Sequence, residues 1–368
     1  MLCGEGVDFD FDFDFVFAIC FVGELLSGAR PETFLNAGNF PEFSTAVTDS
    51  PPGPRYDSPV SIFGRIPMSL CQDILKSLNS VILDKEKKLA LALSCLLSGG
   101  HLLLEDLPGM GKTTLARAMS SVLGLTSQRI QFTSDMLPGD LLGASIFNEK
   151  SRDFEFHPGP VFTNMLLADE INRGSPRTQS ALLEVMAEHQ VSYEGKTHRL
   201  PEPFFVVATQ NPLDQAGTFP LPESQLDRFA MRISLGFPSK SEEIRILKNE
   251  NRAPNLPALT SAEGIIALQN EVQKVFVSDP VCDYIVNLCI RSRTDPEIPN
   301  PLSPRASRAI LAAARARAFI AGRDYATPDD VQEIFPAAAE HRLRKGNISS
   351  LDTASYSDRI LNQVTPLV

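Results

Sequence analysis

Apolar residues recur along this chain with two different periods, and the places where one gives way to the other divide it. From Leu70, the apolar positions 70, 74, 75, 78 and 81 fall on one helical face, and Lys85 to Leu97 repeats that spacing up to Gly99-Gly100. The run Leu102, Leu103, Leu104 then reads as a buried strand, followed by a helix from Lys112 to about Leu123. Further strand-like runs lie at Ile130 to Phe132, Asn164 to Asp169, Pro203 to Thr209 and Ala230 to Leu235. Five short strands with helices between them predict an α/β fold, a parallel five-stranded sheet covered on both faces. Val191 to Leu200, centred on Glu194-Gly195, reads as a β-hairpin.

Beyond Pro238 the strand signals stop. Ser239 with Glu242 and Thr260 with Glu263 have capping-box character, Ser303-Pro304 and Thr327-Pro328 put proline at a first helical position, and Gly322 closes an Ala-rich helix that begins at Pro304. The pattern therefore predicts an α/β domain over 68–238, an all-helical domain over 239–346 and a C-terminal tail over 347–368.

Composition changes the picture mainly at the N-terminus. Residues 1–67 carry 10 acids against 3 bases, so of the net charge of −11 only −4 belongs to the remaining 301 residues. Asp and Phe alternate over residues 8 to 15, and the apolar run Phe15 to Val22 is too short to span a bilayer. Acids precede that run, which argues against a signal peptide. From Ser27 to Arg65 the chain is rich in Pro, Gly and Ser without a period. We expect residues 1–67 to form a low-complexity extension outside the folded unit, with Met68 as a candidate natural start. The acidic balance argues against a nucleic-acid footprint. Six cysteines without a C-x-x-C pair or a nearby His indicate neither a disulfide scaffold nor a zinc site.

Candidate chemistry begins where the first strand ends. HLLLEDLPGMGKTTL, residues 101–115, is a strand feeding a Pro-Gly loop and then a helix. Gly109 and Gly111 let backbone N–H groups face a polyphosphate, Lys112 supplies a point charge, and the Thr113 hydroxyl reaches Mg²⁺ at a helix start that favours anions. Pro108, Met110 and Thr114 complete the candidate phosphate-binding set. The usual motif has Gly six residues before the Lys, where this chain has Asp106; the bland alternative is a Gly turn before an ordinary helix.

In NMLLADEINR an apolar strand delivers Asp169 and Glu170, 57 residues after Lys112. One carboxylate suits the Mg²⁺ hydration shell and the other a water attacking the γ-phosphate. The next strand delivers Asn211, whose amide suits orienting that water, although Asn-Pro is ordinarily a turn. Arg228, in the mixed-charge run LPESQLDRF, reads in isolation as a surface ion pair. His157 to Pro160 reads as a rigid loop, and Arg315, Arg317 and Arg323 as a solvated face.

In order, LLEDLPGMGKT, LLADEINR, PRTQSALLEVM, ATQNP, GTFPLPESQLDRF and LSPRAS resemble the MoxR family of AAA+ ATPases, over about Val81 to Leu343. The resemblance implies a P-loop AAA+ αβα core with a small helical lid, ATP and Mg²⁺ as cofactors, and a cytoplasmic ring, hexameric in expectation. It implies Asp169 as the Mg²⁺ carboxylate with Thr113, Glu170 as catalytic base and Asn211 as first sensor. It further implies Arg228 as an arginine finger acting on the neighbouring copy, and Arg305 as a second sensor. Chaperone-like assembly or metal loading of protein complexes is implied, with a von Willebrand factor A-domain protein as partner and neither nucleic acid nor membrane. In this family the hairpin at 191–200 faces either the ring pore or plain solvent.

Two departures stand out. Leu83-Asp84 replace Gly-Gln after Val81-Ile82 near the adenine, and Pro301-Leu302 replace a small Gly-containing stretch before Ser303. Two other classes stay open: a nucleotide-gated scaffold with little hydrolysis, and a DNA-directed AAA+ machine. Against the latter, the chain has no helix-turn-helix pattern and no GAFTGA-like loop.

Overall fold

A computed structural model describes residues 66–211, 217–248, 256–345 and 355–366. The expected N-terminal extension lies outside these residues apart from Ile66 and Pro67, which open helix α1 (Ile66–Asn79). After α2 (Glu86–Leu97) comes the sheet-bearing part: β1 (Leu102–Glu105), α3 (Lys112–Val122), β2 (Ser127–Gln131) and α4 (Pro138–Leu142). It continues with β3 (Gly143–Asn148), β4 (Asp153–Pro158), β5 (Met165–Asp169), α5 (Pro176–Glu188), β6 (Gln190–Tyr193), β7 (Lys196–Arg199), β8 (Phe205–Gln210), α6 (Glu223–Leu226) and β9 (Met231–Ile233).

β2, β5, β8, β1 and β9 lie in that order in one sheet, every pair parallel. MLLAD and FVVATQ are buried at every position, as central strands packed by helices on both faces must be. The order matters for chemistry. The chain after β1, β8 and β5 leaves three adjacent strand ends together, so Lys112, Asn211 and Asp169-Glu170 all emerge at the carboxyl edge of the sheet.

Two hairpins stand off this sheet. β6 pairs with β7 across Glu194-Gly195, as the turn residues predict. β3 and β4 form a second hairpin that the pattern did not predict, and His157 and Pro158, expected in a loop, are part of its second strand. The hairpins touch: the Ser145 hydroxyl donates to Glu194 at 3.0 Å and Phe156 stacks on His198 with centroids 4.2 Å apart.

The remaining elements are helices: α7 (Lys240–Leu247), α8 (Ala262–Gln273), α9 (Asp279–Thr294), α10 (Pro304–Ile320), α11 (Pro328–Leu343) and α12 (Tyr356–Gln363). Ser303 accepts from Ala306 N–H and Thr327 forms a capping box with Asp330, but α8 is capped by Ser261, which accepts from Gly264 N–H, and not by Thr260. Within the expected tail, α12 is a packed helix whose Ile360 is fully buried in the same apolar cluster as α9 and α11. That cluster runs without a break from Leu102 of the sheet to Ile310 of the lid. The expected solvated arginine face also changes: Arg317 pairs with Glu333 at 2.8 Å, and Arg323 grips Asp330 with two nitrogens at 2.7 and 2.5 Å.

Candidate active site

The phosphate loop is shaped by two residues in the left-handed region, Gly109 at φ 83° and Gly111 at φ 81°. A Cβ at either would meet open space, so the backbone angle and not crowding is what calls for glycine. Gly111 caps α3, whose first residue is Lys112. The Lys112 amine donates to the Asp106 carbonyl at 2.5 Å and lies 3.5 Å from the Gln210 carbonyl, bridging the ends of β1 and β8. Burial holds this amine below its usual value, while Asp106, Asp169, Glu170 and Glu105 pull it back up.

Asp106, the residue that departs from the usual motif, is buried and does not face the loop's concave side. Its carboxylate accepts from the Ser234 hydroxyl at 2.7 Å and from the N–H groups of Leu235 (2.7 Å) and Gly236 (3.1 Å). The other departure works similarly. Asp84, at φ 57°, accepts from Ser239 at 2.5 Å, and Lys85 donates to the Phe237 carbonyl at 2.8 Å. Residues 234–239, which lead from β9 into α7, are therefore strapped to the phosphate loop on one side and to the α1–α2 turn on the other. Val81 of that turn shares a groove with Thr113, Thr114, Arg117 and Leu256.

At the end of β5, Asp169 is buried, with the Thr209 hydroxyl donating to Oδ1 at 3.1 Å and Arg129 Nε to Oδ2 at 2.6 Å. Glu170 has φ 54° and donates its N–H to the same Thr209 hydroxyl at 2.9 Å. Its carboxylate accepts from Gln131 at 2.9 Å and from Arg173 at 2.7 Å. Asn211 follows β8, and its carbonyl lies 3.5 Å from the Asn172 amide. Spacing did not single out Arg129, Gln131 or Thr209, because a strand gives no signal for which neighbour it will pair with.

The two arginines stand apart. Arg228 is half-buried and donates to the Leu183 carbonyl at 2.6 Å; Arg305 is exposed at the start of α10. Among the described residues neither is hydrogen-bonded to Lys112, Asp169 or Glu170. They are joined to each other's neighbourhoods instead. Asp227 accepts from Arg342 Nε at 2.7 Å and from Ser303 at 3.1 Å, so the residue before Arg228 holds the cap of the helix that carries Arg305. Arg342, almost wholly buried, also donates to the carbonyls of Phe229 (2.8 Å), Ala230 (3.2 Å) and Ala338. At the departure in the lid, Leu302 is buried and its N–H donates to the Ser292 hydroxyl at 3.0 Å.

The donor set fits a nucleotide triphosphate with a hard divalent ion. Among the described residues no three His, Cys, Asp or Glu side chains are grouped to hold a metal by themselves. An ion at Asp169 would need phosphate oxygens, a hydroxyl and water to complete its shell, as Mg²⁺ ordinarily does. No helix among the described residues is long and apolar enough to cross a membrane.

Comparison with known proteins agrees with this geometry. Residues 101–231 match the model of the ATPase family associated with various cellular activities (AAA), and residues 290–361 that of the AAA lid domain. The chain is 45% identical over 272 residues to the uncharacterized protein YeaC of Bacillus subtilis, covering 73% of this chain and 85% of that protein. It is 41% identical over 273 residues to chaperone MoxR1 of Mycobacterium tuberculosis, covering 72% of each. A solved structure from Cytophaga hutchinsonii superposes with a TM-score of 0.74 at 33% identity, covering 82% of this chain and 96% of the other. A phosphate loop, a parallel sheet in this strand order and a helical lid, with relatives of this closeness, make the chain a member of the MoxR family of AAA+ ATPases.

Proposed function

We propose that this chain binds MgATP at the carboxyl edge of its sheet and hydrolyses it at the boundary between copies in a ring. The reading rests on one observation: Lys112, at the start of the helix that follows β1, and Asp169-Glu170, at the end of β5 two places away in the sheet, emerge at the same carboxyl edge. Phosphoryl transfer is chiefly positioning and charge neutralisation, and these groups divide that work. Residues 108–111 cradle the phosphates, with Lys112 on the β- and γ-oxygens and Thr114 beside them. Thr113 and Asp169 would hold Mg²⁺, which would supply positive charge against that developing on the phosphates. Glu170 takes the proton of the attacking water and Asn211 orients that water. Arg228 reaches the next copy's γ-phosphate, and Arg305 senses it within its own copy.

The exposed state of Arg305 and, among the described residues, the contact of the Arg228 guanidinium with a backbone carbonyl and not with a carboxylate support a role completed by another group. Hydrolysis then shifts the lid against the sheet, with the Asp227–Arg342 junction carrying the movement. The similarity to a protein named as a chaperone supports remodelling of a protein client as the use of that movement. A von Willebrand factor A-domain protein as one candidate partner and a hexamer as the assembly follow only from the family resemblance of the sequence motifs.

Glu170→Gln tests the chemistry. Steady-state phosphate release falls by about tenfold or more while ATP binding survives. Unchanged turnover removes Glu170 from the mechanism; binding without turnover in the unaltered protein favours the nucleotide-gated scaffold instead.

A further inference from the structure

Arg129 occupies one oxygen of the Asp169 carboxylate. Strand β2 pairs with β5 so that Arg129 stands beside Leu167 and Gln131 beside Asp169. From there the guanidinium reaches two positions along the ladder and donates to Asp169 Oδ2 at 2.6 Å. The two partners differ in environment: the Asp169 side chain is 7% exposed and that of Arg129 is 50% exposed. The second oxygen is engaged as well, by the Thr209 hydroxyl at 3.1 Å. The buried carboxylate therefore has one neutral donor and one full positive charge, and the charge is on the side that can return to water at little cost.

A hydrated divalent ion arriving alone has to displace that guanidinium, and in exchange gains a single carboxylate. Two like charges a few ångströms apart at a partly buried site oppose each other strongly. An ion arriving with a triphosphate meets a different balance. The phosphates bring oxygen ligands of their own, and their negative charge offers the released guanidinium another anion.

We propose that Arg129 is a positioning residue that withholds Asp169 from free divalent cations, so that metal is admitted only together with nucleotide. The inference rests on the reading of Asp169 as the metal carboxylate. A purely structural ion pair would leave metal affinity where it is.

Mn²⁺ is a direct probe, its free concentration read by electron paramagnetic resonance over the full chain with and without a non-hydrolysable ATP analogue. Arg129→Gln is expected to bind Mn²⁺ without nucleotide about tenfold more tightly than the unaltered protein, with the gain lost in the Arg129→Gln, Asp169→Asn double variant. In the presence of the analogue, the two Arg129 forms are expected to agree within about threefold. Arg129→Lys, which restores the charge, brings the exclusion back. Arg129→Met keeps the stem and gives the same gain as Gln should the Gln variant not fold. Equal nucleotide-free affinity in the unaltered protein and in Arg129→Gln overturns the role of Arg129. Asp169→Asn with undiminished Mn²⁺-nucleotide binding overturns the metal reading of Asp169 instead, so the two failures are distinguishable.

Discussion

The charged groups at the sheet edge and those carried by the lid side are held in opposite ways. Lys112, Asp169 and Glu170 are each bonded within the chain, and Asp106 ties the loop they surround to residues 234–236. Arg305 is exposed, and Arg228 rests on one backbone carbonyl. The strand ends are thus held by bonds within a single chain, whereas the arginines are presented from a hydrogen-bonded junction between the sheet side and the lid. Asp227 and Arg342 tie down the backbone around them, and neither arginine side chain is paired with a carboxylate among the described residues. A site divided in this way suits the proposed ring, in which one copy would supply the pocket and the next the charge that completes it.

The sharpest way to break this contrast is stability. Asp106→Ala removes the acceptor for one hydroxyl and two N–H groups and should cost about 3 kcal/mol, read by denaturant unfolding. Arg305→Ala removes no bond among the described residues and should shift stability by less than about 0.5 kcal/mol. Similar losses for both would erase the distinction.

A smaller effect sharpens it from the far end of β1. His101 is buried, accepts from Val206 N–H at Nδ1 (3.1 Å) and lies 3.0 Å from the Met186 carbonyl at Nε2, which fixes the neutral tautomer. Burial pushes its pKa down to about 4, against the Met186 carbonyl, which raises it. The unfolded chain therefore binds this proton first as pH falls, so the stabilisation present above the unfolded value of about 6.5 is lost on acidification. From about pH 7 to pH 5 the loss should be about 2 kcal/mol, and His341, also lowered by burial, adds in the same direction. Denaturant midpoints that do not fall over that range, or that fall equally in His101→Gln, would contradict the assignment.

What the amino-acid pattern disclosed and what it hid follow the same physics. Runs such as MLLAD and FVVATQ announce themselves because both faces are buried. The β3–β4 hairpin does not, since Ile146, Phe147 and Phe154 are exposed on a ribbon with no core beneath it, so its apolar residues do not track burial. α12 gives no such signal because YSDRILNQ is polar on balance and is held by partners distant in sequence, such as Arg359 on Asp295 at 2.9 Å. At the site, the placement of Lys112, Asp169 and Glu170 at one sheet edge is legible from motif spacing. The clamp made by Asp106 and the pairing of Arg129 with Asp169 are not, because both depend on which strands lie side by side.

Complementation between two inactive variants tests the divided site most directly. Glu170→Gln keeps the arginine but lacks the base; Arg228→Ala keeps the base but lacks the arginine. Mixed at high dilution and reconcentrated, they should recover phosphate release on the order of a quarter of the unaltered rate, the share of boundaries with both groups intact under random mixing. A mixture as inactive as its components, or Arg228→Ala turning over ATP at the full rate by itself, would contradict a charge lent from one copy to the next.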